Sequence, residues 1–241
     1  MSAHIKRLAM PNSWPLQRKG LKFITKPQPG MHSLKMGLAL NSILKEILGY
    51  AKATREVKEI LNNGMISVDG KIRKECKSSV GLMDVLKNEK TGECFRMLLN
   101  TKSKLYFLPI PKNEAETKPC KIIRKQLVKN KKDKSKNIQL TLHDGRNILT
   151  DKNEYKVADT LLIKIPGGEI IKHWKLAKNA FALITEGKHT GDYGIIEEFV
   201  GEKSIEATKI VIKTKDKKYE TLVNYAFVLG EGKPEITIKQ E

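Results

Sequence analysis

Over residues 38–48 the apolar positions Leu40, Ile43, Leu44 and Ile47 recur at helical spacing, and Gly49 supplies a C-terminal stop. That spacing predicts a helix. A second helix starts at Thr54, an N-cap residue type, with Glu56 in the first turn, where the helix dipole favours an acid. Its buried stripe is Val57, Ile60 and Leu61, and Gly64 ends it. In "MISVDGKIRK" (65–74) the period shortens to two. Ile66 and Val68 alternate with polar residues, Asp69-Gly70 suits a type I′ turn, and Ile72 resumes the strand. Helix, helix and hairpin define a unit over 38–93.

Further along, β-type runs at 95–99, 105–108, 138–142 and 160–165 are separated by turn signals such as Asp144-Gly145 and Gly167-Gly168. They predict a central β-rich domain over 94–173. Runs at 181–185, 194–200, 207–213 and 219–223 predict a small β-barrel over 174–230, followed by a short extended tail at 231–241. Residues 1–37 show no sustained period. They hold four prolines (Pro11, Pro15, Pro27, Pro29), with Trp14 and Phe23 as isolated apolar anchors. This composition predicts an extended arm that cannot bury enough apolar surface to fold alone. The expected fold class is therefore α+β, built as several modules.

Charge changes the picture most. Among 241 residues, 46 Lys+Arg against 27 Asp+Glu give a net charge of +19, and such a balance selects a polyanionic partner. The excess is uneven: residues 1–45 hold eight Lys/Arg and no acid, and 118–136 hold nine and one acid. Only seven of the basic residues are Arg. Lys is a point charge suited to phosphate, whereas Arg supplies the fork used on base edges. No apolar run approaches the ~20 residues of a membrane-spanning helix, and no signal-type segment follows the start, so the chain reads as cytosolic. Cys76, Cys94 and Cys120 are widely spaced, with no C-x-x-C, and suit neither a disulfide framework nor a zinc site. No metal and no cofactor are expected.

The loop "EGKHTGDYGII" (186–196) is the one stretch that invites a catalytic or nucleotide reading. A phosphate-wrapping P-loop needs a glycine where Ala182 stands and a Ser or Thr where His189 stands. The chain after it is strand-like, so no helix N-terminus faces a phosphate. A catalytic His189–Asp192 pair lacks a nucleophile or second base nearby. What remains is a hairpin loop whose glycines permit tight turning.

Two module signatures stand in this sequence. "REVKEILNNGMISVDGKI" (55–72) with "VGLMDVL" (80–86) resembles the S4-type RNA-binding module, and "ITEGKHTGDYGIIEEF" (184–199) resembles a KOW motif. "HIKRLAMPNSWPLQRKG" (4–20), "PQPGMHSL" (27–34), "VGLMDVL" (80–86), "KTGECFRMLLNTKSKLYF" (90–107), "HDGRN" (143–147) and "ALITEGKHTGDYGII" (182–196) look like segments of the ribosomal small-subunit protein S4e family, found in archaea and eukaryotes. The resemblance runs in order along nearly the whole chain. The absence of a basic C-terminal extension after the barrel favours an archaeal member.

This resemblance implies a non-enzymatic component of the cytoplasmic small ribosomal subunit. Its implied partners are small-subunit ribosomal RNA and neighbouring ribosomal proteins, with no membrane and no small-molecule substrate. Phosphate contacts are expected from Lys6, Arg7, Arg18, Lys19, Lys22 and Lys26 in the arm, and from Lys52, Arg55, Lys58, Lys71 and Arg73 in the helix-hairpin unit. A basic prong would offer Lys121, Arg124, Lys125, Lys129, Lys131 and Lys132. In the barrel loop Lys188 and His189 would face phosphates, with Gly194 allowing close approach to RNA. The competing readings are a free-standing RNA chaperone, a KOW-bearing transcription factor, and an RNA-modifying enzyme carrying the same module. The enzyme would need its catalytic Asp in "HDGR" (143–146), but that order fits a hairpin turn.

Overall fold

The computed structural model describes residues 4–129, 136–201, 208–214 and 217–238, with the side chains of Lys129 and Lys136 left aside. Two units emerge, Met1–Lys118 and Pro119–Glu241.

In the first unit, strands β1 (His4–Lys6) and β2 (Phe23–Thr25) pair antiparallel. The amino-terminal segment, expected as an extended arm, carries a short strand pair and is held on its unit. Trp14 is fully buried, its indole N–H donates to Leu34 O at 3.2 Å, and Leu105 N–H donates to Ser13 O at 2.8 Å. The segment has too few apolar residues for a core of its own, and it shares one with the rest of the unit.

The run at 38–48 also divides. Its first residues form β3 (Gly37–Ala39), and helix follows as α1 (Leu40–Ser42) and a π turn over Ile43–Ile47. Helix α2 (Thr54–Asn62) comes next, buried through Val57 and Leu61. Ile60 is only half-buried, so it lies at the margin of the stripe. Ala53 holds the extended N-cap backbone and Thr54 is the first helical residue, one position on from the expectation. The Glu56 carboxylate, not Thr54, tethers this end. It accepts from Lys52 N at 2.7 Å and Ala53 N at 3.3 Å, which holds its pKa below the ordinary value.

Strands β4 (Ile66–Val68) and β5 (Lys71–Ile72) form the expected hairpin, with Asp69 (φ 51°) and Gly70 (φ 69°) in the left-handed region that a type I′ turn requires. β6 (Ser79–Gly81) pairs with β3. Gly81 is obligatory there, because an added Cβ would lie 2.3 Å from the His32 ring. β7 (Val85–Asn88), β8 (Cys94–Leu99) and β9 (Leu105–Pro109) complete a sheet ordered β5-β4-β7-β8-β9. The boundary expected at 93/94 therefore falls between two paired strands of one sheet. α3 (Lys112–Ala115) leads into β10 (Thr117–Lys129), and the division of the chain into units falls after Lys118.

In the second unit β10 pairs with β11 (Lys136–Leu142), which pairs with β12 (Asn147–Thr150). β13 (Thr160–Lys164) and β14 (Ile170–Trp174) extend the other edge, giving the order β12-β11-β10-β13-β14. Cys120, Ile122, Ile138, Leu140, Leu142, Leu161 and Ile163 form its core. Each fully buried aliphatic side chain there contributes about 1.5–3 kcal/mol. β15 (Ala180–Ile184), β16 (Tyr193–Val200), β17 (Lys209–Lys213), β18 (Lys218–Leu222) and β19 (Ala226–Glu231) form a second antiparallel sheet, ordered β18-β17-β16-β15-β19. The tail is not merely extended: Ile236 is buried, and Glu235 accepts from the Trp174 indole N–H at 3.1 Å. Among the described residues strands dominate, so the expected α+β balance resolves into a β-rich fold with few helices. The periodicity reading did not mark β12, β14 and β19; β19 is buried continuously over 226–230 and so shows no period of two.

Candidate nucleic-acid interface

Several expected contacts in the first unit stand free on its surface. Lys6 and Lys22 flank the β1–β2 pair, with Lys22 Nζ 5.4 Å from the Phe23 ring centroid and the His4 ring edge-on to Phe23 at 4.6 Å. Lys19 is exposed in the same segment, and Lys26 is half-buried. Lys52 precedes α2, whose outer face presents Arg55 and Lys58, and Lys71 stands exposed on the hairpin. Arg55 makes only a loose 3.9 Å contact with Glu59, both side chains being largely exposed, so it remains available to a ligand. The helix end and hairpin adjoin, since a Cβ on Gly64 would come within 3.6 Å of Ile72.

Other expected contacts are committed internally. Arg7 is buried. It donates to Gln17 O and to both Glu46 carboxylate oxygens, each at 2.6 Å, so it is a structural clamp and not a phosphate contact. Arg18 donates to Leu8 O, Met10 O and Asn12, and Arg73 reaches the Met31 sulfur at 3.7 Å. These two are half-committed.

The prong reading changes similarly in the second unit. Lys121 is buried, its Nζ donating to Asn224 O and Ala226 O, each at 2.7 Å. Burial, partly opposed by Glu186, pushes its pKa down to about 8. It is a fastener, not a recognition residue. Lys125 Nζ is held by Asn153 and by Tyr155 O, whereas Arg124 is exposed. Lys131 and Lys132 lie outside the described residues, as does the Lys129 side chain.

In the 186–196 loop, Gly187 (φ 95°) and Gly191 (φ 93°) take left-handed backbone, and Gly191 N–H donates to Ile184 O at 2.8 Å. Lys188 is exposed at the tip. His189 is stacked on Tyr219, with centroids 4.1 Å apart and planes 8° apart, and its Nδ1 lies 3.6 Å from Asp192. Gly194 does make a close backbone approach, but inside the sheet. A Cβ there would lie 2.6 Å from Lys213 O and 2.5 Å from Ile212 Cγ2, so Gly194 serves strand packing and not an RNA contact.

The sequence reading also missed a buried charge network. Lys118 Nζ donates to Asp69 and Asp84, and Asp84 in turn meets His32 Nε2 at 2.8 Å. Burial alone would raise the Asp84 pKa, yet the charges of Lys118 and His32 hold it well below the carboxylate range. The available signal was Asp84 itself, a lone acid inside the apolar run 80–86.

The features above define a class: a polycationic, β-rich protein that displays its charge on strands, a helix face and loops. Known proteins sharpen this. The family described as Ribosomal family S4e matches residues 91–170, and the RS4NT domain matches residues 1–35. Small ribosomal subunit protein eS4 of Methanocella arvoryzae is 35% identical over 233 residues, covering 97% of this chain and 96% of the relative. The eS4 protein of Methanocaldococcus jannaschii is 38% identical over 244 residues, covering 98% and 97%. The crystal structure of the 30S ribosomal protein S4e from Thermoplasma acidophilum superposes with a TM-score of 0.69 at 29% identity, covering 83% of this chain and 97% of that one. The chain belongs to the S4e family of ribosomal proteins, a structural and not an enzymatic family.

Proposed function

We propose that this chain is a structural component of the small ribosomal subunit that binds small-subunit ribosomal RNA and packs beside neighbouring ribosomal proteins in the cytoplasm. The observation that carries the reading is the set of uncommitted cations on the first unit: Lys6, Lys19, Lys22, Lys52, Arg55, Lys58 and Lys71. They point outward, whereas Arg7, Arg96 and Lys118 of the same unit are buried and paired with carboxylates. Such cations neutralise phosphates and position a protein on folded RNA by shape. The sheet formed by β15–β19 is read as a KOW-type small barrel, with Lys188 at its loop tip and the His189–Tyr219 stack offering an aromatic face. Arg124, exposed on β10, provides a further basic contact.

The test is a salt series of RNA affinity with the full chain. The logarithm of affinity should fall with the logarithm of salt by roughly 0.7–0.9 per neutralised phosphate. Replacing Lys52, Arg55 and Lys58 together by Ala should reduce that slope by roughly two to three while leaving the melting temperature unchanged. A salt-insensitive affinity, or failure of the protein to sediment with small subunits at moderate salt, would overturn the proposal.

A further inference from the structure

Within the second unit, β10 and the turn after β11 bring Cys120 against the adjacent pair His143 and Asp144, 24 residues from Cys120 to Asp144. Cys120, His143 and Asp144 each offer one ligand atom, and the three atoms lie within 4.8 Å of one another. Cys120 and Asp144 are buried, at 0% and 2% exposure, and the His143 ring is held edge-on by Phe227 at 5.2 Å. Cys120 Sγ is 3.7 Å from Asp144 Oδ2. Donors on a tetrahedral zinc ion sit about 2.0–2.3 Å from the metal and hence roughly 3.3–3.7 Å from one another. The sulfur–oxygen pair already meets that spacing, and a shift of about 1 Å brings the widest pair within it.

We propose that Cys120, His143 and Asp144 bind one thiophilic divalent cation of the zinc class, leaving a fourth position for water. The donor set selects the metal, because thiolate with imidazole suits zinc over magnesium or calcium, which take oxygen ligands. The backbone is already shaped for it. His143 N–H donates to Lys121 O at 2.9 Å, Gly145 N–H donates to Leu142 O at 3.1 Å, and Arg146 N–H donates to Asp144 Oδ1 at 3.1 Å, so the turn is fixed before any metal arrives. Cys120 belongs, with Ile122 and Leu142, to the buried apolar cluster of this unit. Binding releases the Cys120 proton to solvent, because the ligand is the thiolate. Arg146 Nε, 3.2 Å from Asp144 Oδ2, competes with the cation for that oxygen, and its partly exposed side chain can move aside into water. Arg146 therefore weakens the site.

The experiment is titration of the full-length protein with Co²⁺, followed by Zn²⁺ competition against a chromophoric chelator. Expected are one equivalent bound and a thiolate-to-cobalt charge-transfer band. The band should vanish in Cys120→Ser and persist in the Cys76→Ser/Cys94→Ser double variant, in which only Cys120 remains. His143→Asn should weaken zinc binding by roughly tenfold or more, and Arg146→Ala should tighten it. Circular dichroism monitors folding; if Cys120→Ser is unfolded, the His143→Asn result decides. Absence of the band from the wild type, its survival in folded Cys120→Ser, or wild-type zinc affinity in His143→Asn would each overturn the proposal.

Discussion

Replacing Lys118 by Met removes the cation bonded to both Asp69 and Asp84 while keeping the length of its buried stem. All three groups are fully buried, with Lys118 Nζ 2.7 Å from Asp69 Oδ2 and within hydrogen-bond reach of Asp84 Oδ1. Removing one partner of a buried pair costs about 3–5 kcal/mol, because the desolvated charge stays behind. Here two carboxylates stay behind. Asp84 retains Gly81 N–H at 2.8 Å and Asp69 retains Val85 N–H at 3.0 Å, which softens the loss and keeps the expectation within that range. Against a domain stability of about 5–15 kcal/mol this is a large fraction, equivalent to a melting temperature lower by on the order of 15 °C.

The sign of the pH dependence follows. In the wild type the depressed Asp84 pKa contributes stability that is fully present above the ordinary carboxylate value of 3.8 and lost only as pH falls through the lower folded value. In Lys118→Met, burial raises the carboxyl pKa above the unfolded value. The folded variant then takes up protons as pH falls, and its deficit shrinks between about pH 7 and pH 4. Urea denaturation at the two pH values measures both quantities, and adding Asp69→Asn should restore part of the loss. A deficit below about 1 kcal/mol at pH 7, or one equal at both pH values, would refute the role assigned to this network.

The remaining predictions concern other positions. Gly194→Val drives a side chain into Lys213 O and Ile212, so it should destabilise the second unit by about 1–3 kcal/mol or more, whereas Lys188→Ala should leave its melting temperature unchanged. Thr54→Pro should be mild, since Thr54 is the first helical residue and proline suits that position; Leu61→Asp, at a fully buried site, should abolish cooperative unfolding of the first unit in thermal melts. For Lys121, whose folded pKa is about 8, the unfolded chain binds more protons between pH 8 and 10.5. The wild type should therefore gain up to about 3 kcal/mol on Lys121→Met across that interval, measured by denaturant titration at each pH.

Much was legible in the sequence because it is locally encoded. The Asp69-Gly70 turn, helix α2 with its early acid, and the β-type runs at 138–142 and 160–165 each rest on residues within a few positions of one another. So does the Gly187–Gly191 loop. The family segments along 4–196 were legible for the same reason, as contiguous strings. Net charge likewise needs no fold, and it pointed to a polyanion.

Only tertiary structure decided which cations remain on the surface. Lys118 and Lys121 belong to the same basic run as Arg124, and nothing local distinguishes them. Lys118 is buried because Asp69 and Asp84, 49 and 34 residues away, fold against it, and Lys121 because two carbonyls more than a hundred residues on accept its protons. The joining of 94–109 to the hairpin sheet, the anchoring of Trp14, and the meeting of Cys120 with His143 and Asp144 have the same origin. Periodicity records which side of an element faces inward. Which partner waits there depends on contacts between distant segments, and for a charged side chain that partner determines whether it is buried and paired or left for a ligand.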